Sequence, residues 1–246
     1  MIKNKLPKIL SRSILIILLS SCSLFEEDTG ITDTYTFLSS SLSSLSSVLV
    51  YYPEFYSSST PVVYLLNGWG ASASAWGSGM NLAKEAHNRD IIFVSLSAGV
   101  NTYTNDPTHS NENYKDYVLE VVSKVENEYD IDIDYQSRAI CGISNGGGGA
   151  LFILSEHPDS FMAAGSLSGS VYSGMTNYAN FADRGIRIDI GTTDGQLNQC
   201  RWLHDKLIEE KIDHEYYEHP GEHDWDFWSI YAPEQFNFLE AIIGAE

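Results

Sequence analysis

The chain has 246 residues, of which 33 are acidic and 14 basic, giving a formal net charge of −19. So much negative charge repels phosphate backbones, which argues against nucleic acid or an anionic polymer as partner. The length suits one α/β domain and leaves no segment large enough for a second.

Residues 1–21 read as an export signal. Lys3, Lys5, Lys8 and Arg12 precede a short apolar run, Ile14 to Leu19, too brief to span a bilayer, and small residues follow at Ser20 and Ser21. Leu19-Ser20-Ser21-Cys22 resembles the lipobox of bacterial lipoproteins. That resemblance implies cleavage before Cys22 and a lipid on its thiol; the competing reading is an ordinary signal peptide with a chance cysteine. It also implies an exported protein, periplasmic or at the cell surface, tethered by lipid and not by a transmembrane helix. Residues 22–33 would then be a spacer and 34–246 a single domain, with a mature net charge near −23 once four basic residues are removed.

Beyond the spacer, strand and helix patterns alternate without internal repeats. Thr34 to Leu42 and Ser47 to Tyr52 read as two β segments, the interleaved Leu residues of 39–47 favouring a hairpin over a linker. Pro61 to Leu66 and Ile91 to Leu96 are short continuous apolar runs, as expected of strands buried on both faces. Met80 to Asn88 reads as a helix, and Tyr114 to Tyr129 as an amphipathic one with Tyr117, Val118, Val121, Val122 and Val125 on its apolar face. Arg138 to Cys141, Phe161 to Leu167, Ile186 to Ile190 and His214 to Glu218 read as strands. Gln196 to Lys211 and Pro233 to Ile243 read as helices. Repeated βα units imply a mostly parallel, doubly wound sheet with its active site beyond the carboxyl ends of the strands. Cys141 and Cys200 are expected as free thiols, with a bridge between them as the alternative in an oxidising compartment.

The most informative motif is Gly142-Ile143-Ser144-Asn145-Gly146, set between a strand and a glycine-rich helix start. This is the context of a nucleophile elbow, in which a serine sits on a sharp turn and small flanking residues let two backbones pass closely. The N–H of Asn145, at the helix N-terminus, is then placed to meet a developing oxyanion. A second such donor is expected from Asn67-Gly68-Trp69-Gly70, most readily the N–H of Trp69. In Gly191-Thr192-Thr193-Asp194-Gly195, Asp194 follows a strand and can orient an imidazole; its other reading is a helix N-cap. Asp189 is the weaker rival because it lies inside the strand. Seven histidines compete for the base. His223, in a loop past the last strand, is preferred over His219, which precedes a proline; His87, His109, His157, His204 and His214 fall too early or within regular elements. Glu222, Asp224 and Asp226 read as solvated loop carboxylates. No cluster has convincing metal spacing, and Asp130, Asp132 and Asp134 read as a solvated edge; no cofactor is needed.

These residues carry a resemblance beyond the general fold. Ser47-Val48-Leu49-Val50-Tyr51-Tyr52-Pro53, Tyr64 to Gly70, Arg138 to Gly147, His157-Pro158-Asp159-Ser160-Phe161 and Ser166-Leu167-Ser168-Gly169 resemble the esterase D branch of the α/β-hydrolases. That branch includes carbohydrate esterase family 1 (acetyl xylan and feruloyl esterases), S-formylglutathione hydrolases and mycolyltransferases. The resemblance covers nearly all of the mature chain. It implies an α/β-hydrolase fold with little or no cap, Ser144 as nucleophile, Asp194 as acid, His223 as base and backbone donors at Trp69 and Asn145. Two positions depart from the family: Asn67 stands where His is usual, and Asn145 where Met is common. Neither changes the reaction class, but both bear on rate and substrate.

The implied reaction is hydrolysis of a carboxylic ester through an acyl-enzyme. Export, and tryptophans at 69, 76, 225 and 228, suit acetyl or feruloyl esters of plant polysaccharides, with Trp225 a candidate for stacking on the substrate. A cytosolic S-formylglutathione hydrolase does not fit an export signal. The alternatives are an acyltransferase, a siderophore or lipid esterase, and a catalytically silent glycan-binding lipoprotein. Oligomeric state is not legible.

Overall fold

A computed structural model describes residues 30–244; the signal, Cys22 and residues 23–29 of the expected spacer lie outside the described residues. Residues 30–33, read as spacer, already belong to the first strand because they pair with residues 50–53. The hydropathy of the strands dictates the layers. Strands β3 (Val62–Leu66), β4 (Ile92–Leu96) and β6 (Ala163–Leu167) are buried at every position. Strands apolar on both faces must be covered on both. Val63 and Leu65 of β3 therefore point into one core with Trp76, Leu82 and Phe236, while Tyr64 and Leu66 point into the other with Val121, Ile153 and Leu207.

The helices divide accordingly. Helices α1 (Ala75–Gly79), α2 (Leu82–Arg89) and α6 (Trp225–Ile243) cover one face. Helices α3 (Tyr114–Glu128), α4 (Asn145–Glu156) and α5 (Leu197–Glu209) cover the other. Strands β1 (Gly30–Ser39), β2 (Ser44–Pro53), β5 (Arg138–Ile143), β7 (Gly185–Gly191) and β8 (Glu215–His219) complete an eight-stranded sheet of order β1-β2-β4-β3-β5-β6-β7-β8. Strand β2 runs antiparallel to both β1 and β4; all pairs from β4 to β8 are parallel. This is the α/β-hydrolase fold. The chain passes from β3 outward to β4 and then crosses back to β5 on the other side of β3. Crevices at such a switch point, beyond the carboxyl ends, are where ligands bind in open sheets. Between β6 and β7 lies only a short 3-10 turn, Tyr178–Phe181, so nothing there forms a cap.

Three boundaries differ from the sequence reading. The first hairpin is longer at its start and turns at 40–43, because Glu120 of α3 gathers the turn: its carboxylate accepts Ser39 Oγ, Ser40 N–H, Ser40 Oγ and Ser41 N–H at 2.7–3.1 Å. The short α1 has no sequence signature beyond the buried Trp76. The last helix starts at Trp225, not at Pro233. Asp224 caps it, accepting Phe227 N–H at 3.1 Å, and burial of Phe227, Trp228, Ala232 and Phe236 outweighs the interior proline, which costs about 3 kcal/mol in a helix. The Pro233 carbonyl accepts from Arg89 Nη2 at 3.3 Å. Among the described residues no helix is long and apolar enough to cross a membrane.

Candidate active site

Strand β5 runs straight into α4 through Ser144, whose φ of 55° is one that residues with a side chain rarely adopt. Close packing enforces the turn. A Cβ on Gly142 would stand 2.2 Å from the Gly146 backbone, and one on Gly146 would stand 2.2 Å from the Leu66 carbonyl oxygen. Both glycines are therefore required by contact with backbone that has no room to move. Ser144 N–H donates to Leu167 O at 2.8 Å, which fixes the turn to β6.

Ser144 Oγ lies 2.8 Å from His223 Nε2, and His223 Nδ1 lies 2.9 and 3.0 Å from the two oxygens of Asp194. The loops after β5, β7 and β8 thus bring together the three side chains singled out from the sequence. Their setting is graded: Asp194's side chain is fully buried, whereas that of His223 is 34 % exposed. Burial pushes the Asp194 carboxyl up, but hydrogen bonds from His223, from the Gln196 N–H at 2.7 Å and from Ser168 outweigh it and hold the group below its usual range. Asp194 therefore supports the imidazole; it is not the N-cap of α5, which is Gln196, but its carboxylate accepts the Gln196 N–H in the turn just ahead of that helix.

The glycine loop after β3 abuts the serine. A Cβ on Gly68 would be 3.5 Å from Ser144 Cβ. The loop is held by Asn67 N–H to Leu96 O (3.2 Å), Gly70 N–H to Gly99 O (2.7 Å) and Ser95 Oγ to Ala73 O (2.6 Å). Trp69 N–H takes no backbone acceptor among the described residues, and Asn145 N–H, at the first position of α4, has no intrahelical one. Both amides are thus free of backbone partners; that of Asn145 follows Ser144 directly, and that of Trp69 lies one residue beyond Gly68 in the loop packed against it.

The family described as "Putative esterase" matches residues 39–236. The chain belongs to this esterase family. Among curated proteins, it is 30% identical over 161 residues to the MPT51 antigen of Mycobacterium leprae, covering 61% of this chain and about half (52%) of that protein's length. It is 23% identical over 222 residues to an acetyl esterase of Caldicellulosiruptor saccharolyticus, covering 73% of this chain and 83% of that one. Among solved structures, a ferulic acid esterase superposes with a TM-score of 0.76 at 21% identity, covering 87% of this chain and 99% of that one. The Staphylococcus aureus fluorophosphonate-binding serine hydrolase FphF does so at 0.77 and 17%, covering 86% and 98%. By family, the protein is of the carboxylic ester hydrolase class.

Two parts of the esterase's site were not legible beforehand. Ser168, fully buried with φ 53°, accepts Trp228 Nε1–H at 3.1 Å and hydrogen-bonds Asp194. Trp228 itself stands edge-on to the His223 ring, with centroids 5.1 Å apart. Ser168-Gly169 at the end of β6 was visible as a family-like stretch, but its contact with Asp194 joins the ends of two neighbouring strands, β6 and β7, that lie far apart in sequence. Trp225 is half-buried; its ring lies edge-on to Trp76 (5.7 Å) and Trp228 (5.5 Å), and a Cβ on Gly79 would meet it at 2.1 Å. Packing in the second core is thus what the structure shows of Trp225.

The rival pair has a different place. His219 Nε2 lies 2.7 Å from Asp189 Oδ1, so the two residues rejected as base and acid bond each other. Arg187 grips both Asp189 oxygens (2.8 and 3.1 Å) and reaches Glu234 (2.9 Å) and Glu215 (3.1 Å). Asp189, His219 and Glu234 have metal-like spacing, but the guanidinium already occupies the cationic position between them. Asp106, His109 and Glu112 also cluster, on an exposed loop where His109 Nδ1 pairs with Asp106 at 3.2 Å. Glu222 and Asp224 are exposed, and Asp224 is the α6 cap. Cys141 and Cys200 are free and sit in opposite cores, separated by the sheet. Burial raises both thiols, that of Cys200 to about 12.

Proposed function

We propose that this protein is a serine esterase acting through an acyl-enzyme, with Ser144 as nucleophile, His223 as general base and acid, and Asp194 as the carboxylate that orients His223. The observation that carries this reading is the unbroken Ser144–His223–Asp194 hydrogen-bond chain at 2.8–3.0 Å. His223 Nε2 accepts the Ser144 proton as Oγ bonds to the ester carbonyl carbon. The carbonyl oxygen becomes an oxyanion, met by the Trp69 and Asn145 amides. Collapse breaks the C–O bond to the alcohol, which leaves with the proton from His223. Water, deprotonated by His223, then releases the acid and restores Ser144.

The proposed substrates are acetyl or feruloyl esters of plant polysaccharides. Supporting this are the relative named an acetyl esterase, an exposed Trp69 on the glycine loop, and a cavity beside the elbow. That cavity, of about 500 Å³, is lined by Val171, Tyr172, Met175, Gln199 and the exposed Trp202. One lining residue, Tyr172, donates from its hydroxyl to Asn145 Oδ1 at 2.7 Å, which sets this wall of the cavity next to the elbow. Its apolar lining suits a phenolic or sugar ring. The lipobox-like Leu19-Ser20-Ser21-Cys22 supports export and anchorage through a lipid at Cys22.

The test is hydrolysis of p-nitrophenyl acetate and methyl ferulate by the full-length protein in detergent, beside Ser144→Ala. Turnover that Ser144→Ala abolishes is expected, and the ratio of the two rates defines the acyl preference. A folded wild type inactive on both would turn the assignment toward an acyltransferase or a silent binding scaffold. Mass spectra of membrane fractions showing an unmodified Cys22 would remove the lipid anchor.

A further inference from the structure

Helix α4 opens with four consecutive glycines, Gly146 to Gly149. Glycine is a poor helix former, and four together leave the first turn with little intrinsic rigidity. The amide that would face the oxyanion, Asn145 N–H, sits at the head of this soft turn. The other proposed donor, Trp69 N–H, lies between two more glycines, Gly68 and Gly70. Donors of this kind act only if held within a few tenths of an ångström of where the charge develops. Something outside both segments must therefore hold them.

The loop after β4 does so on both sides. Asn145, 6 % exposed, is anchored at each end of its carboxamide: Oδ1 accepts Tyr172 Oη–H at 2.7 Å, and Nδ2 donates to Asn101 O at 3.0 Å. The same Tyr172 hydroxyl lies 3.0 Å from Asn145 O and accepts Tyr103 N–H at 3.1 Å. Fully buried Tyr103 then crosses to the other loop, its hydroxyl donating at 3.0 Å to Asn67 O, one peptide ahead of the Gly68–Trp69 amide. Asn67 in turn donates from Nδ2 to Ser95 Oγ (3.0 Å) and Leu96 O (2.8 Å). One run of hydrogen bonds joins the Asn67 peptide to the Asn145 peptide. The glycines that soften α4 also admit the brace: a Cβ on Gly149 would stand 2.6 Å from the Tyr103 ring, and one on Gly148 would stand 3.1 Å from the Tyr172 ring.

We propose that Tyr103, Tyr172 and the Asn145 side chain are positioning residues that hold the two oxyanion-donating amides in one fixed geometry. The inference rests on the serine-esterase reading. It gives a role to both departures from the family, Asn67 and Asn145, since each carboxamide is an anchor of the brace. These side chains touch no reacting atom; they act through the peptides they hold.

The test is steady-state kinetics of p-nitrophenyl acetate with the full-length protein and its Tyr172→Phe, Tyr103→Phe and Asn145→Leu variants, together with inhibition by phenylboronic acid. The boronate forms a tetrahedral anion on the serine and so reports the oxyanion site directly. In each variant kcat should fall about 10- to 100-fold, part of the 10²–10³ lost when a donor is removed outright. KM should stay within about two-fold, and boronate affinity should weaken by the same factor as kcat. Tyr172→Phe keeps the ring and its packing, so it separates lost positioning from lost folding. Unchanged kcat, or a loss confined to KM, or boronate affinity that does not follow kcat, would overturn the proposal while leaving the esterase intact. A wild type no more active than Ser144→Ala would sink the esterase reading and this inference together.

Discussion

At the residue scale, the site is arranged so that one carboxylate stays ionised in a buried place. Three donors converge on Asp194: His223 Nδ1, Gln196 N–H and Ser168. Its pKa is lowered in the fold, so its contribution to stability is complete above its unfolded value of 3.8 and is lost as the pH falls below it. Removing the charge while keeping the shape should cost that contribution at neutral pH, and should cost catalysis more, because the charge also fixes the imidazole. Asp194→Asn is expected to lower kcat by about 10⁴, because the amide favours the wrong imidazole tautomer. Its thermal unfolding should move little by comparison. A kcat within ten-fold of wild type would reassign the acid. The chain's own pattern made Ser144 legible because a nucleophile elbow is a local motif. It made Asp194 and His223 candidates through their order, but Ser168 and Trp228 reach them only through space.

At the element scale, one contact between elements sets where the nucleophile sits and another pins the first hairpin. The start of α4 packs so closely on the end of β3 that there is no volume for a methyl group at Gly146, whose added Cβ would meet the Leu66 carbonyl at 2.2 Å. Gly146→Ala should destabilise the fold by about 2–3 kcal/mol, measured by urea unfolding, and should displace Ser144 enough to abolish turnover. The first hairpin is pinned by Glu120, whose carboxyl is pushed up by partial burial but pulled down further, to about 2, by Ser40, Ser39 and Ser41 donors. A depressed carboxylate stabilises the folded state above its unfolded value of 4.5 and loses that effect as the pH falls toward 2. Glu120→Gln should cost about 1–2 kcal/mol at neutral pH, discounted for partial exposure, and the difference from wild type should shrink at pH 3. A pH-independent difference would mean that packing, not charge, holds the turn. Helix α6 was read too short because proline is a local stop signal, whereas its buried face is a tertiary fact.

At the scale of the whole molecule, the sheet divides the protein into two cores and sorts its charges. Arg187 and Asp189 are both almost fully buried on β7 and pair with each other, with His219 from β8 and with Glu234 from α6. The network ties α6 to the sheet, and α6 carries Trp228 against His223. Asp189→Ala would leave a guanidinium in the core with its main partner gone, at a cost of about 3–5 kcal/mol. Chemical denaturation should show that loss, and an Asp189→Ala protein as stable as wild type would mean that Arg187 finds water instead. The two buried cysteines illustrate the same division: from the sequence a bridge stayed open, but the thiols lie on opposite faces of the sheet.

The chain's local chemistry was sufficient for the strands, for most helices and for the elbow. Apolar runs, glycine spacing and helical periodicity act between neighbours a few residues apart, and they are visible in the order of residues alone. The choice between two acid–base pairs was of another kind. Asp189 with His219 and Asp194 with His223 both follow Ser144 in the required order. Register decided between them: β7 and β8 pair Gly191 with His219. This keeps His219 within the sheet, at Asp189, and leaves His223 in the loop beyond the carboxyl edge, over the serine. Distances across strands depend on how the whole sheet is assembled, and no local pattern encodes them.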